Sequence, residues 1–217
     1  MTLLNLTPEE LLTTTRAVRK RLDFDRPVEM AVIRDCLEVA LQAPTGGNRQ
    51  GWHFVVVTDA EKRKAIADYY KKSWDLYVDS PSGVGTLFMD DPERAPQQVR
   101  VKDSAQYLAD HMAQAPVFLI PCLEGRLTAE TWQGSPGFWG SIIPAAWSFM
   151  LAARLRGLGT AWTTLHLRYE KEVAELLGMP YEKFSQAALI PVAYTQGTDF
   201  KPAKRLPLDS VLHVDGW

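Results

Sequence analysis

The sequence predicts one α+β (α/β) domain in which a mixed central sheet is flanked by helices. Amphipathic helix patterns alternate along the chain with short, continuous apolar runs, and no repeat or linker divides the 217 residues. A chain of this length can close a sizeable core. Hydrophobic residues make up 46% and charged residues 23%, which excludes disorder as the overall state.

The first half of the chain predicts three helices and one strand. Thr7 begins a capping box, with proline next to it, that starts a helix ending near Arg16 or one turn later. Met30–Ala43 carries apolar residues at helical spacing. After a glycine-rich turn, the valine-rich run Trp52–Thr58 predicts a strand, and Glu61–Leu76 predicts a helix with a charged face.

The second half predicts further helices and the inner strands of the sheet. Arg100–Ala113 has helix signals, Ala115–Cys122 is a continuous apolar run typical of a buried central strand, and Phe138–Arg156 predicts a long apolar helix that ends at glycines. The remaining elements are, in order, a second inner strand at Thr160–His166, a helix at Glu170–Leu177 and a third strand at Ala187–Thr195. Helices and strands therefore interleave to the end of the core.

Between the third and fourth helices lies a segment, Asp79–Gln97, that is long for a connection inside a compact domain. Such segments are more often lids or partner contacts than idle connections. A polar tail, Lys201 to Trp217, follows the last strand.

Charge, hydropathy and cysteine content exclude several classes of protein. The net charge of −2, from 24 basic and 26 acidic residues, gives no general reason to expect nucleic acid or an anionic membrane as the partner. No apolar stretch reaches the ~20 residues of a membrane helix, and the N-terminal segment lacks the pattern of a signal peptide. Cys36 and Cys122 lie far apart without a CxxC or a histidine pair. We therefore expect a cytoplasmic protein with no metal site.

Two basic clusters favour a phosphate-bearing ligand. Four cations lie within Arg16–Arg21, and Arg16 and Arg19 are three residues apart, so in helical geometry both guanidiniums can converge on one anion. A solvated basic face is the alternative and, for this segment alone, the commoner interpretation. The second cluster, Lys204 and Arg205, lies in the tail.

The turn at residues 43–50 offers unhindered backbone amides and polar side chains that could lie against a flat ligand. The alternative is a plain helix-to-strand connection in which glycine and asparagine serve only the backbone. The turn is neither a P-loop nor a GxGxxG fingerprint, and the chain has no HExxH or GxSxG motif. The residues alone thus predict a globular α/β domain with a phosphate site.

Five segments in order make the chain resemble the FMN-dependent nitroreductase superfamily, and especially its actinobacterial members. They are TTRAVRKRLDFDRPV, APTGGNRQGWHFVVV, GLGTAWTTLH, LLGMPYEKFSQAALIPVAYTQG and AKRLPLDSV. The resemblance covers nearly the whole chain. It implies a single FMN-binding domain at residues 1–217 with a nitroreductase-like sheet, an intertwined homodimer with two FMN sites at its interface, a lid at about 79–97 and a dimer-embracing tail at about 198–217.

The resemblance also implies a set of cofactor-binding residues. In this family an arginine-rich motif and a basic residue of the tail hold the FMN phosphate, a turn comes from the partner subunit, and the segment after Gly-Leu-Gly lies against the isoalloxazine. The matching positions are Arg16, Ala17, Arg19, Pro44, Thr45, Asn48, Gln50, Trp162, Thr163, Thr164, Arg205 and, as a weaker match, Lys204. Many members carry Arg-Arg-Ser-x-Arg, so one arginine and the serine hydroxyl are missing at Thr15–Arg19.

The activity implied by the resemblance is reduction of nitroaromatics, quinones or similar planar, electron-poor acceptors with NADH or NADPH, by ping-pong hydride transfer. Because FMN carries the chemistry, no catalytic side chain is assigned. The same fold leaves open enone reduction, reductive dehalogenation and oxidation of a peptide-derived heterocycle. A flavin-binding or sequestering protein with little turnover is an alternative, as is a flavin-free small-ligand or interaction domain.

The segment Asp79–Gln97 aligns with the lid of no subfamily within the resemblance. The dehalogenating branch of the family grips a zwitterionic amino acid with an acid, a tyrosine and a lysine from this region. Tyr69, Tyr77, Glu93 and Lys102 are present here, but their spacing differs from that of the dehalogenating branch.

Overall fold

A six-stranded sheet forms the centre of the protein in the computed structural model, which describes residues 3–217. Its strands are β1 (Leu22–Asp23), β2 (Trp52–Val57), β3 (Val117–Glu124), β4 (Leu158–Thr160), β5 (Phe184–Gln186) and β6 (Ile190–Thr195). The strand order is β1-β6-β3-β2, with β4 also pairing with β6 and β5 with β3. Every ladder between these strands is antiparallel, and the parallel component is a bridge between Ala17 and Thr160.

Helices cover both faces of this sheet. They are α1 (Pro8–Thr14), α2 (Met30–Ala40), α3 (Ala60–Tyr77), α4 (Ala95–His111), α5 (Ser135–Gly140), α6 (Ile143–Leu155) and α7 (Glu170–Leu177). Successive side chains of a strand point to opposite faces. Accordingly Val117 and Leu119 of β3 pack with α2 and α6, while Phe118 and Ile120 pack with α3, α4 and α7. The predicted α+β class and the buried central strand are confirmed.

Helix α1 begins as predicted but ends earlier. Thr7 Oγ1 accepts from the Glu10 amide at 3.1 Å, and the Glu10 carboxylate accepts from the Thr7 amide at 2.8 Å, which completes the capping box. The helix ends at Thr14, because the next residues take up extended backbone and reach the sheet, where the Val18 amide donates to the Thr160 carbonyl at 2.8 Å. The expected continuation to Arg16 is wrong for this reason.

The predicted long helix Phe138–Arg156 is two helices, α5 and α6. Pro144 lies in the first turn of α6. A proline has no amide hydrogen to donate to the preceding turn, and its ring clashes with the carbonyl four residues back, so it is tolerated only at a helix start. The chain therefore breaks at residues 141–142 and starts again.

The predicted strand Thr160–His166 is also mostly wrong. The ladder of β4 with β6 stops at Thr160, which pairs with Val192. Continuing the register would place Ala161 opposite Pro191, which has no amide hydrogen for a ladder. The chain instead turns away, touches the sheet once more where Thr163 bridges Leu189, and enters a 3₁₀ turn at Leu165–Tyr169.

Other boundaries also differ from the predictions. Helix α2 ends at Ala40 and not at Ala43, and α4 spans Ala95–His111 and not Arg100–Ala113. The run Ala187–Thr195 contributes β6 alone, while β5 precedes it. Helix α7 agrees with its prediction, and Gly178 closes it with a left-handed φ of 67°.

The 3₁₀ turn carries a buried histidine, His166, which is 0% exposed. Within the described residues neither of its ring nitrogens has a hydrogen-bond partner, and the Oε1 atom of Gln186 is likewise unpartnered. Burial lowers the pKa of His166 to about 4, although nearby Gln186 opposes the shift. The imidazole is therefore neutral in the folded protein at pH 7.

We expect acid to destabilise the protein through His166. In the unfolded chain the imidazole takes up a proton below about pH 6.5, whereas in the folded chain it does so only near pH 4. The free energy of unfolding should thus fall by roughly 3 kcal/mol between these pH values. Urea denaturation at pH 7.5, 5.5 and 4.5 should show a shallower pH dependence for His166→Gln than for wild type. Identical pH dependence in both proteins would contradict this assignment.

Candidate functional site

A cleft lined by basic side chains lies where the segment after α1, helix α4 and the tail meet. Its volume is about 570 Å³. Seven basic residues line it, namely Arg16, Arg19, Lys20, Arg21, Arg100, Lys201 and Lys204, and Asp199 is the acidic residue in the lining. Since the net charge of the protein is −2, this concentration of cations is local and favours an anionic ligand. We call it the cationic cleft.

Extended backbone, and not a helix, brings the first cations into the cleft. Ala17 bridges Thr160 at the sheet, so the side chain of Val18 points into the core and is 5% exposed. Ala17 and Arg19, on either side of it, line the cleft together with Arg16, and Val18 itself borders the cleft. The expected helical spacing of Arg16 and Arg19 is therefore wrong, although both side chains do reach one cleft.

Two of the seven cations are neutralised by acids. Lys20 pairs with Asp103, and Arg21 pairs with Asp199 at 2.6 Å. Within residues 3–217 the other five form no ion pair. An anion in the cleft would thus meet several uncompensated charges.

Arg19 is the most enclosed of the free cations at this site. Burial lowers the pKa of its guanidinium, Tyr70 opposes that shift and the charge of Arg16 adds to it. Its nearest side-chain partner is the Ser104 hydroxyl, 3.4 Å from Nη1. A bound anion would relieve both the desolvation and the repulsion.

A smaller cavity of about 310 Å³ adjoins the cationic cleft, and Arg19 and Val101 line both. Its aromatic and hydroxyl-bearing lining residues are Tyr70, Trp74, Tyr77, Trp162, Thr163 and Thr164. We call it the aromatic cleft. Burial raises the pKa of Tyr70 to about 12, which keeps its phenol neutral. A ligand that spans both cavities would need a charged end and a flat, apolar end.

The glycine-rich turn lies at a third cavity, of about 770 Å³, which shares no lining residue with the other two. Three residues of the turn have left-handed backbone, with φ of 60° at Gly47, 52° at Asn48 and 51° at Gln50. Thr45 Oγ1 accepts from the Gln50 amide at 3.1 Å, which holds this conformation. Strain of this kind in non-glycine residues is retained mainly where function requires it.

The predicted site residues therefore form two groups within one chain. Those that line the cationic and aromatic clefts are Arg16, Ala17, Arg19, Trp162, Thr163, Thr164 and Lys204. Those on the separate turn are Pro44, Thr45, Asn48 and Gln50, of which Thr45 lines the third cavity. Arg205 is absent from all three linings and donates to the Lys204 carbonyl at 3.4 Å, so of these two predicted tail residues only Lys204 lines the cleft.

Sequence reasoning missed the contribution of α4. Gln97, Arg100, Val101 and Ser104 line the cationic cleft at spacings of three and four residues, which is one helix face. This periodicity was available in the sequence, but the predicted helix start at Arg100 hid its first turn. Lys201 was missed as well, although it precedes the predicted tail cations by only a few residues.

The first part of the predicted lid packs tightly against the end of α3. The Gly85 amide donates to the Val78 carbonyl at 2.8 Å, and Val84, 7% exposed, lines the aromatic cleft. Lys102 on α4 pairs with Asp79 at 2.9 Å. This part of the segment therefore forms a wall of the aromatic cleft.

Tyr69, Tyr77 and Glu93, which lie in or near the predicted lid region, do not share one environment. Tyr77 lines the aromatic cleft, whereas Tyr69 stacks on Tyr169 with ring centroids 5.1 Å apart. Glu93 is exposed and lines none of the three cavities.

The described residues contain no helix long and apolar enough to cross a bilayer. They also contain no group of three or more histidine, cysteine, aspartate or glutamate side chains that could hold a metal ion. Cys36 and Cys122 are buried free thiols, and burial raises the pKa of Cys122 to about 12.

Comparison with known proteins identifies the family. The family model named "Nitroreductase family" matches residues 12–194. The chain belongs to the nitroreductase family, and thus to a family of oxidoreductases.

Among relatives of the chain, a protein of Methanothermobacter thermautotrophicus named "Putative NADH dehydrogenase/NAD(P)H nitroreductase" is 27% identical over 188 residues, covering 85% of this chain and 75% of the relative.

Solved structures share the fold. Iodotyrosine deiodinase bound to FMN and 3-iodo-L-tyrosine has a TM-score of 0.70 and 20% identity, covering 96% of this chain and 98% of the other. A variant of an FMN- and NADPH-dependent nitroreductase from Sphigopyxis sp. strain HMH has a TM-score of 0.66 and 22% identity, covering 98% and 100%. The nitroreductase-like fold implied by the sequence is confirmed.

We expect the wall of the aromatic cleft to depend on Gly83. A Cβ there would overlap the Tyr77 carbonyl oxygen and lie 2.6 Å from that of Val78. Gly83→Ala should therefore lower the free energy of unfolding by about 2–3 kcal/mol, as overpacking against backbone does. Gly140→Ala is the matched control, because nothing lies within 4 Å of its added methyl group and it ends a helix.

The control should be neutral or stabilising by up to about 1 kcal/mol. Chemical denaturation of both variants measures the difference. Equal free energies of unfolding for the two variants would show that the segment around Gly83 accommodates the added methyl group without loss of stability.

Proposed function

We propose that the protein is an FMN-dependent oxidoreductase that uses NADH or NADPH to reduce nitroaromatics, quinones or similar electron-poor acceptors by a ping-pong scheme. The observation that carries the proposal is the adjoining pair of clefts, one cationic and one aromatic, which share Arg19 and Val101. FMN has the same division between a phosphate dianion and a planar isoalloxazine. Membership of the nitroreductase family supports the choice of FMN over other ligands with this division.

In this proposal the cationic cleft binds the phosphate of FMN. Arg16 and Arg19 approach it from the segment after α1, and Lys204 from the tail. Ala17 offers no hydroxyl where many members of the family have serine. The Ser104 hydroxyl lines the same cleft and lies next to Arg19, so we assign the missing hydroxyl contact to it.

The residues of the aromatic cleft would hold the isoalloxazine. When bound, FMN supplies hydride transfer, from the nicotinamide and then to the acceptor. Trp162 and Tyr77 offer flat apolar surface that excludes water, and Thr164 offers polar atoms to the rim of the ring. Thr163 donates its hydroxyl to the Leu189 carbonyl at 2.7 Å, which fixes this segment to the sheet. The side chains thus position the isoalloxazine and exclude water from it, and none is assigned a proton transfer.

A second copy of the chain would complete the site. The strained turn lies at a cavity separate from the two clefts, so it can reach a flavin only in a partner's cleft or across an interface. The end of the tail exposes a run of apolar side chains with few contacts to its own chain, namely Leu206, Leu208, Val211, Leu212, Val214 and Trp217. Exposed apolar surface of this extent is typical of an interface. We therefore propose a homodimer in which each tail embraces the other subunit.

Reductive dehalogenation is the second candidate activity. It is favoured by the fold shared with iodotyrosine deiodinase, whose structure holds FMN and 3-iodo-L-tyrosine. Here Lys102 and Asp79 carry opposite charges beside the aromatic cleft, but they pair with each other. Nitroaromatic, quinone, enone and iodotyrosine acceptors, compared under one set of conditions, separate the activities.

The decisive experiment is the visible absorption spectrum of freshly purified protein, before and after anaerobic NADPH and, separately, NADH. A flavin spectrum that bleaches with either donor supports the oxidoreductase and leaves the acceptor to be found. A flavin that stays oxidised with both would point to storage or to another donor. A colourless protein that takes up no added FMN would overturn the proposal. A sequential ternary complex in steady-state kinetics would contradict the ping-pong scheme.

We expect Arg16→Ala to weaken FMN binding by about tenfold to a hundredfold, the loss of one charge-assisted contact to phosphate. Riboflavin, which lacks the phosphate, should bind the variant and wild type equally. Arg168→Ala is the control, because Arg168 is exposed and lines none of the three cavities. Flavin fluorescence titration gives both dissociation constants. Unchanged FMN affinity in Arg16→Ala would contradict the proposed placement of the phosphate beside Arg16.

Truncation separates the two roles proposed for the tail. Ending the chain after Arg205 should produce a monomer, because it removes the exposed apolar residues but retains Lys204. Ending it after Gly197 should lose flavin as well as the dimer, because Lys201 and Lys204 are then absent. Light scattering and the flavin content of the purified proteins report the two effects. A dimeric protein from the first truncation, or full flavin content in the second, would contradict the proposed role of the tail.

A further inference from the structure

Helix α6 ends with a buried cation that has no acid beside it. Arg154 is 4% exposed, and within residues 3–217 it forms no ion pair. Its Nε and Nη1 atoms have no hydrogen-bond partner, while Nη2 donates to the Thr198 carbonyl at 2.8 Å. Burying an unpaired guanidinium is unfavourable, so a methionine or leucine would suit this position better on grounds of stability alone.

The hydrogen bond and the ring contact of the Arg154 side chain both go to the start of the tail. Its guanidinium carbon lies 4.7 Å from the ring centroid of Phe200. Arg21 contacts the same ring, at 4.3 Å, and also donates to the Gln196 carbonyl at 2.8 Å. Two guanidiniums thus hold the segment 196–200 through carbonyl hydrogen bonds and one shared aromatic ring.

This segment leads into the cationic cleft, which Asp199 and Phe200 themselves line. The residues after Phe200 are exposed, apart from a half-buried Ala203. Lys201 and Lys204 line the cleft within this exposed stretch, and the Lys201 carbonyl accepts from Arg16 at 3.3 Å. The placement of both lysines therefore depends on where the chain leaves Phe200.

We propose that Arg154 is a positioning residue for the phosphate end of the flavin site. It does not line the cleft. It fixes Thr198 and Phe200, and through them it directs Lys201 and Lys204 at the phosphate. The inference rests on the proposed function, because it takes the FMN phosphate as the anion that the cleft binds. A lysine could not replace Arg154 fully, because only the planar guanidinium donates to a carbonyl and covers a ring at once.

The test uses the full-length protein and compares FMN with riboflavin as probes. Arg154→Met should raise the dissociation constant of FMN about tenfold and leave that of riboflavin within about twofold. Its apo form should unfold at the wild-type temperature or above, because the substitution removes an unpaired buried charge. Arg154→Lys should fall between Arg154→Met and wild type.

Arg156→Met is the matched control, since it removes the same charge two residues later. The Arg156 guanidinium donates to the Ala152 carbonyl of its own helix at 3.0 Å. Arg156 lines none of the three cavities. It should keep the wild-type ratio of FMN to riboflavin affinity. Phe200→Leu offers a second route to the same effect, and the double variant with Arg154→Met should lose no more than the larger single loss.

Two results would overturn the inference while leaving the proposed function intact. One is wild-type affinity for FMN in Arg154→Met. The other is an equal loss of affinity for FMN and riboflavin in Arg154→Met, which marks a structural role. Wild-type protein that binds FMN no better than riboflavin would instead overturn the phosphate assignment itself, and with it the role of Arg154.

Discussion

The burial of β3 on both faces is the constraint on which the rest of the structure depends. A strand with no solvent-facing side must be covered twice, so helices have to be placed on either side of the sheet. Helices α2 and α6 supply one layer and α3, α4 and α7 supply the other. The connections between the layers then run along the edges of the sheet, and the clefts form there. Ala17 meets Thr160 at such an edge, which places the first cations of the cleft.

Concentrating like charges at this edge opposes folding. Arg16 and Arg19 repel each other, and burial disfavours the charged form of Arg19. Backbone pairing with the sheet and the packing of Val18 in the core hold the segment despite this cost. A ligand that carries negative charge stabilises the same arrangement, so binding and folding are linked. The cationic cleft is therefore both a locally unfavourable feature and the clearest indication of what the protein binds.

The division of the predicted site into two separate places has a consequence for assembly. A single chain presents the cationic and the aromatic cleft, but its strained glycine turn lies at another cavity. Its tail exposes apolar side chains at the end of a stretch that begins at the cationic cleft. An exchange of turns and tails between two copies of the chain would account for both features. Cofactor binding, dimerisation and the placement of the tail lysines then become parts of one equilibrium.

Local signals in the sequence determined the elements whose causes are local. The capping box of α1, the left-handed end of α7 at Gly178 and the continuous apolar run of β3 were predictable because each depends on neighbouring residues. The two cation clusters were likewise visible in the sequence. The family and its fold followed from five segments in order.

Tertiary structure alone decided the rest, because the deciding partner is distant in sequence. The early end of α1 depends on pairing with Thr160, and the end of β4 depends on Pro191 in another strand. That Lys204 lines the cationic cleft and Arg205 does not depends on the course of the tail. No local pattern could show that Arg154, at the end of an apolar helix, would be buried against that tail. The sequence by itself determined which cationic and aromatic residues the chain offers, and the packing of remote segments decided which of them line the clefts.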